Sequence, residues 1–202
     1  MIAGIVLAAG RSRRMGEPKA FLALHGETFL ARTVAALRDG GCGEVVVVCG
    51  PASDETGRRI AQQAEALGAR VAVNDAVDSE QADSLRAGLL ALSPAATAAV
   101  VLPVDVPAIA ADVVRAVIDA FEMRGAPIVR AAHGGRNGHP VLFARAVFGE
   151  LLADDLPEGA RTVIHQHGGE VESVELDTDA VLTDVDTPED YRRLVSDGES
   201  AG

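Results

Sequence analysis

The sequence predicts an α/β protein: a three-layer α/β/α sandwich around a mostly parallel sheet. Three observations predict it. Apolar runs of strand length at residues 2–7, 44–49 and 98–102 lack polar alternation, as strands covered on both faces do. Segments with apolar residues at helical spacing stand between them. Strand and helix alternate through the first two-thirds of the chain, the order that right-handed crossovers need to build a parallel sheet.

Each element follows from local chemistry. After the first strand comes a small-residue loop with cations, residues 8–19. Thr28 is a helix N-cap; Leu30, Val34 and Leu37 recur at helical spacing, and Gly40-Gly41 ends the helix. Val45-Val46-Val47-Val48 is a buried strand broken by Gly50-Pro51. Residues 54–67 form a helix with Ile60, Ala64 and Leu67 on one face, closed by Gly68, and residues 70–73 form a strand. A polar loop from Asn74 leads to a helix over 80–90; a strand at 98–102 runs into Pro103-Val104-Asp105-Val106-Pro107. A helix over 110–124 ends at Gly125, and a strand follows at 127–131. Residues 132–138 read as a Gly-rich turn, 140–143 as a strand, 147–152 and 161–167 as helices, and 171–176 as a strand. Val181-Leu182-Thr183 is a short apolar piece, and Pro188 begins the last helix. No repeat or linker interrupts the chain, so residues 1–195 are expected to be one domain and 196–202 a polar tail.

Composition narrows the class. A hydrophobic fraction of 48% with 24% charged residues belongs to a globular protein, and 3% aromatics means a core of Ala, Val, Leu and Ile. A net charge of −12 lacks the broad basic face that nucleic acid requires. No stretch resembles a membrane span or a secretory leader, so a cytoplasmic location is expected. Cys42 and Cys49 have neither metal-ligand nor redox spacing.

Four stretches carry candidate chemistry. In the first loop, Ala8, Ala9 and Gly10 let backbone N–H groups approach a ligand, while Arg11, Arg13, Arg14 and Lys19 supply charge for phosphates. Lys19 is the only lysine, which hints at a need for a compact ammonium. Asp105, just past a buried strand, is a hard-oxygen ligand suited to Mg²⁺ or else a turn aspartate. Asp186 precedes Thr187-Pro188-Glu189-Asp190 and is either a second metal carboxylate or part of a helix start; spacing does not choose between Asp184 and Asp186. Ser84 and Arg86 open a helix near the third strand, where Ser84 can hydrogen-bond a base or sugar. His165 and His167, two residues apart, diverge on a helix and argue against zinc; His139 precedes Pro140 in a turn and can line a pocket or face solvent.

Leu7-Ala8-Ala9-Gly10-x-Ser12-x-Arg14-Met15-Gly16-x-x-Lys19 resembles the signature loop of nucleotidyltransferases with the Rossmann-like nucleotide-diphospho-sugar transferase fold. More narrowly it resembles the MobA-like NTP transferases, especially the molybdenum cofactor cytidylyltransferases of MocA type. Ser84-Leu85-Arg86-Ala87-Gly88-Leu89, Leu102-Pro103-Val104-Asp105-Val106-Pro107, Gly138-His139-Pro140-Val141-Leu142-Phe143 and Asp184-Val185-Asp186-Thr187-Pro188-Glu189-Asp190-Tyr191 agree. The resemblance implies that Leu7, Ala8, Ala9 and Gly10 hold the base and ribose, that Arg14 and Lys19 bind the triphosphate, and that Asn74 and Ser84 contact the nucleotide. It implies Mg²⁺ on Asp105, with Asp186 as the second carboxylate, and Arg14, Lys19 and Asp105 as the catalytic set. An acceptor phosphate would attack the α-phosphate and release pyrophosphate, a reaction that needs positioning and charge neutralisation more than a base. Relatives with Ala-Ala-Gly in this loop tend to use pyrimidine nucleotides, which implies CTP. The implied acceptor is a molybdopterin cofactor, with transient contact to a molybdoenzyme or its chaperone. This chain departs from the MocA-type pattern at Glu80-Gln81-Ala82, where Gly-Met-Ser is usual, and at Asp105-Val106-Pro107, where Asp-Gln-Pro is usual. Both departures concern the acceptor more than the nucleotide. A sugar, alditol or other small-molecule phosphate, and a non-catalytic cofactor-delivery protein, are therefore the alternatives.

Overall fold

A computed structural model describes residues 1–10, 15–76, 81–154 and 156–199. Its strands and helices, in chain order, are β1 (Ile2–Leu7), β2 (Ala23–Leu24), β3 (Glu27–Thr28), α1 (Phe29–Asp39), β4 (Glu44–Cys49), α2 (Glu55–Ala66), β5 (Arg70–Val73), α3 (Gln81–Ala91), β6 (Ala98–Pro103), α4 (Ala111–Arg124), β7 (Ile128–His133), β8 (Arg136–Ala144), α5 (Phe148–Leu151), α6 (Ala160–Gln166), β9 (Val171–Glu175) and α7 (Pro188–Glu199).

The main sheet has seven strands in the order β5-β4-β1-β6-β8-β7-β9. All run parallel except β8, which is antiparallel to both neighbours, β6 and β7. Alternation along the apolar strands feeds two cores. Val6, Val47, Val100 and Leu102 pack with α1, α2 and α4, whereas Ile5, Val46, Val48 and Val101 pack with α3, α5 and α6. Gly88 lets α3 approach the sheet closely: a Cβ there would lie 2.7 Å from Ile5 Cγ2. Thr28 caps α1 by accepting from the Ala31 N–H at 3.2 Å, as its side-chain chemistry predicts.

Three expectations change and one element is new. The stretch at 132–138 is not a long turn: β7 and β8 continue into a tight hairpin whose link is Gly134 (φ 56°) and Gly135 (φ 73°), a left-handed pair suited to glycine. Val181-Leu182 belongs to a 3₁₀ turn, Asp179–Leu182. The β2–β3 hairpin was hidden because its strands are two residues long; His25 (φ 53°) and Gly26 (φ 83°) turn it. Helix α7 extends to Glu199, into the stretch expected to be a tail.

Candidate active site

Three chain segments bring Lys19, Asp105 and Asp186 together. Pro18 sets an extended backbone (φ −64°) ahead of a 3₁₀ turn, Lys19–Phe21, closed by the Phe21 N–H donating to the Pro18 carbonyl at 3.0 Å. Asp105 follows β6, whose exit is tied to β1 by the Val104 N–H donating to the Leu7 carbonyl at 3.1 Å. Asp186 lies between the 3₁₀ turn at 179–182 and α7. The Val185 N–H donates to the Asp105 carbonyl at 2.8 Å, which fastens this third segment to the second.

Helix capping explains why Asp186 is available. Thr187 and Asp190 form a reciprocal cap on α7. The Thr187 N–H donates to Asp190 Oδ2 at 2.9 Å and the Asp190 N–H to Thr187 Oγ1 at 3.2 Å. Hydrogen bonds from the Thr187 hydroxyl and backbone hold the Asp190 carboxyl below its usual pKa. The helix thus does not need the Asp186 carboxylate, which turns to Lys19 instead. The Tyr191 hydroxyl donating to the Ala23 carbonyl at 2.8 Å anchors α7 on the small hairpin beyond Lys19.

The Lys19 Nζ lies 3.0 Å from Asp105 Oδ2 and 2.5 Å from Asp186 Oδ1, with the lysine side chain only 12% exposed. Burial pulls the ammonium pKa down, but hydrogen bonds and charge from Asp186 and Asp105 outweigh it, and the net shift is upward. Of the two aspartates that spacing left open, both exposed, Asp186 is the one paired with Lys19. Two carboxylates converging on one cation suit a hard divalent ion, which needs only one or two protein carboxylates when water and substrate phosphates complete its shell. Among the described residues no cluster of three or more His, Cys, Asp or Glu offers a fuller cage.

A cleft of about 490 Å³ opens beside this centre, lined by Ala8, Ala9, Gly10, Pro18, Gly50, Pro51, Asp54, Thr56, Gly57, Ile60 and Ala76. The Ala8 N–H is committed to the sheet, donating to the Val48 carbonyl at 2.9 Å. Those of Ala9 and Gly10 have no partner among the described residues and are the donors a ligand can use. Leu7 is buried, its carbonyl taken by Val104, so it supports the loop from below. Asn74 and Ser84 are both buried and bonded to each other, Nδ2 donating to Oγ at 3.0 Å. Asn74 Oδ1 also accepts from the Ala76 N–H at 3.1 Å, so the pair shapes the cleft wall at Ala76. Sequence reasoning missed Gly50, Pro51 and Asp54 as cleft residues, although they follow a parallel strand just as the first loop does.

Arg14, with Arg11, Ser12 and Arg13, lies outside the described residues. Arg86 pairs with Asp154 at 2.6 Å rather than joining the cleft. His139 sits at the edge of the carboxylate centre. Its burial pushes the imidazole pKa down against the opposing charges of Asp105 and Asp184, with Arg161 adding to the downward shift.

Comparison with known proteins supports the same reading of the chain. Residues 4–171 match the model of the MobA-like NTP transferase domain. A nicotine blue oxidoreductase from Paenarthrobacter nicotinovorans is 28% identical, covering 96% of each chain. The molybdenum cofactor cytidylyltransferase of Escherichia coli is 26% identical over 93% of this chain and 92% of that one. A probable molybdenum cofactor guanylyltransferase of Opitutus terrae is 38% identical over 54% of this chain, and the match spans only 50% of that relative. The crystal structure of Rv0371c from Mycobacterium tuberculosis superposes with a TM-score of 0.81 at 33% identity, covering 96% of this chain and 97% of that one. The same protein is also known in complex with manganese. The architecture is the nucleotide-diphospho-sugar transferase fold, shared with solved nucleotidyltransferases. No described helix is long and apolar enough to cross a membrane. By sequence and by fold, the chain is a nucleotidyltransferase that belongs to the MobA-like NTP transferase family.

Proposed function

We propose that this nucleotidyltransferase is a Mg²⁺-dependent cytidylyltransferase that moves CMP from CTP onto the terminal phosphate of a molybdopterin-type cofactor in the cytoplasm. The observation that carries the reading is the bridge from Lys19 to Asp105 and Asp186, one residue along the chain from Pro18 in the wall of the Ala8–Gly10 cleft. CTP is favoured because Ala9 carries a methyl group where guanylyltransferase relatives tend to have glycine, which narrows the space for a purine. The full-length similarity to a cytidylyltransferase agrees with this.

Asp105 and Asp186 would hold the metal, which when bound neutralises phosphate charge and orients the triphosphate. The N–H groups of Ala9 and Gly10 bind the nucleotide at the cleft. Lys19, kept protonated by its carboxylate neighbours, sets its ammonium against the triphosphate oxygens. Arg14 adds a second cation from the same loop, and Asn74 with Ser84 fixes the cleft wall that the nucleoside meets. A phosphate oxygen of the acceptor attacks the α-phosphorus in line, the bond from the α-phosphorus to the bridging oxygen breaks, and pyrophosphate leaves. The acceptor oxygen is already anionic, so no protein base is required.

A pyrophosphate-release assay with each of the four NTPs, Mg²⁺ and either molybdopterin cofactor or a panel of sugar and alditol phosphates tests the proposal. Release with CTP and the cofactor is expected; release confined to a sugar or alditol phosphate contradicts the acceptor, and no release with any NTP contradicts the whole reading. Asp105→Ala separates catalysis from delivery, because a non-catalytic carrier would keep its delivery function without this carboxylate.

A further inference from the structure

We propose that His139 Nε2–H and the Arg161 guanidinium form the subsite for the acceptor's phosphate, on the far side of Asp105 from the nucleotide cleft. The inference rests on the nucleotidyl-transfer reading above and assigns the half of the site which that reading left open.

Sheet order gives the position. The nucleotide cleft lies over the ends of β4 and β1, Asp105 follows β6, and the next strand across is β8. Because β8 is antiparallel to β6, with Val101 opposite Val141 as the last pair, residue 139 lies two residues beyond that pair, on the side of the carboxyl end of β6 from which the chain runs to Asp105. In-line displacement needs the attacking phosphate on the side of the α-phosphorus away from the leaving pyrophosphate. A nucleotide seated over β4 and β1 leaves β8 as the side of entry.

The chemistry of the ring agrees. The His139 side chain makes no hydrogen bond among the described residues, and its Nδ1 is shielded from solvent without a partner. A buried polar atom left unpaired in a native fold calls for an explanation. A proton on Nδ1 would find no acceptor there, so the neutral ring carries its proton on Nε2, the nitrogen not shielded from solvent. That is a donor aimed away from the core with nothing yet to bond. Its backbone is firmly placed: a Cβ on the preceding Gly138 would lie 1.9 Å from the Val181 carbonyl oxygen, so the segment leading to Asp186 presses directly on this strand.

The charges acting on the ring are those of Asp105, Asp184 and Arg161. Two carboxylates alone would repel an incoming phosphate. Arg161, at the start of α6 and exposed, has no ion-pair partner among the described residues and supplies the opposing charge, with a planar fork that matches phosphate oxygens. A histidine donor and an arginine fork suit a phosphomonoester, whose charge and paired oxygens they match, better than a neutral hydroxyl, which can accept only single neutral or one-sided bonds from them.

The test uses the whole chain with Mg²⁺ and the α,β-methylene analogue of CTP, with inorganic phosphate as probe, read by ¹⁵N-histidine NMR and calorimetry. The His139 signal is assigned by its loss in His139→Gln. Phosphate is expected to shift the His139 Nε2 resonance. Its affinity should fall about tenfold or more in His139→Ala and in Arg161→Ala, and stay within roughly threefold in His139→Gln, whose amide nitrogen reaches the Nε2 position. Affinity for the CTP analogue should be unchanged in all three. Arg161 is on the surface, so its variant keeps the test valid if His139→Ala folds poorly. Normal analogue binding with wild-type phosphate affinity in Arg161→Ala and His139→Ala overturns the subsite alone; a wild-type protein that does not bind the analogue overturns the CTP reading and the subsite with it.

Discussion

The backbone N–H of Val185 donates to the carbonyl oxygen of Asp105 at 2.8 Å, and this one bond ties together segments eighty residues apart in the chain. It sets the Asp186 side chain beside that of Asp105, so that both reach Lys19. Backbone as well as side-chain contacts therefore hold the site together.

The approach of that segment depends on Gly138. Gly138→Ala would place its Cβ 1.9 Å from the Val181 carbonyl oxygen, and a main-chain atom cannot swing aside as a side chain can. The variant should lose about 1–3 kcal/mol in urea unfolding, the range of overpacked interiors, and bind Mn²⁺ more weakly because Asp186 has moved. Wild-type stability together with wild-type Mn²⁺ affinity would show that the close packing is dispensable.

Lys19 competes with a divalent ion for the same carboxylates. Without nucleotide, Lys19→Met should bind Mn²⁺ more tightly than the wild type in an electron paramagnetic resonance titration. With nucleotide, its kcat should fall about 10²–10³-fold, the usual cost of removing one preorganised charge donor. Lys19→Arg should recover only part of the rate, since a planar fork does not replace a compact ammonium. Weaker Mn²⁺ binding in Lys19→Met would mean that the lysine organises the carboxylates and does not compete for them.

Much of this was legible in the sequence, for identifiable reasons. Val45–Val48 and residues 98–102 announce buried parallel strands because burial on both faces removes alternation. Gly125, with φ 65°, ends α4 where its backbone freedom predicts. The strand reversal was not legible: β8 runs antiparallel because a two-glycine turn joins it to β7, and the same glycines read as a loop when pairing is unknown. Nor could spacing decide between Asp184 and Asp186, since alternation would put both on one face, and the segment they occupy forms no strand. The capping pair Thr187–Asp190 leaves the Asp186 carboxylate to pair with Lys19, an arrangement that exists only once the helix has formed.

His167 gives the fold a pH dependence of known sign. Its ring contacts Glu150 Oε2 at 2.9 Å and Glu170 Oε2 at 3.1 Å, and these hydrogen bonds raise its pKa above the ordinary 6.5 despite the opposing effect of burial. A raised folded-state pKa stabilises the protein fully below the unfolded value, and the contribution disappears as pH rises through the folded one. Urea midpoints of the wild type should therefore fall from pH 6.5 upward relative to His167→Gln. Parallel profiles for the two proteins would remove His167 from the account.

The thiols should be inert in the native state. Burial pushes the Cys42 thiol up to about 12 and raises Cys49 as well, so neither forms appreciable thiolate at neutral pH. Ellman's reagent should label neither cysteine until urea unfolds the chain, and then both; rapid labelling of the folded protein would contradict the packing described.

The most direct test of the central claim is α-phosphate transfer by Asp105→Asn and Asp186→Asn. With α-³²P-labelled CTP, Mg²⁺ and molybdopterin cofactor, the wild type should form labelled cofactor and release unlabelled pyrophosphate. Each variant should be slowed about 10²-fold or more, with the double variant little worse than the slower single one because the two carboxylates act as a unit. Transfer at the wild-type rate by both single variants would contradict the assignment of this centre as the place where the bond to the α-phosphorus is made.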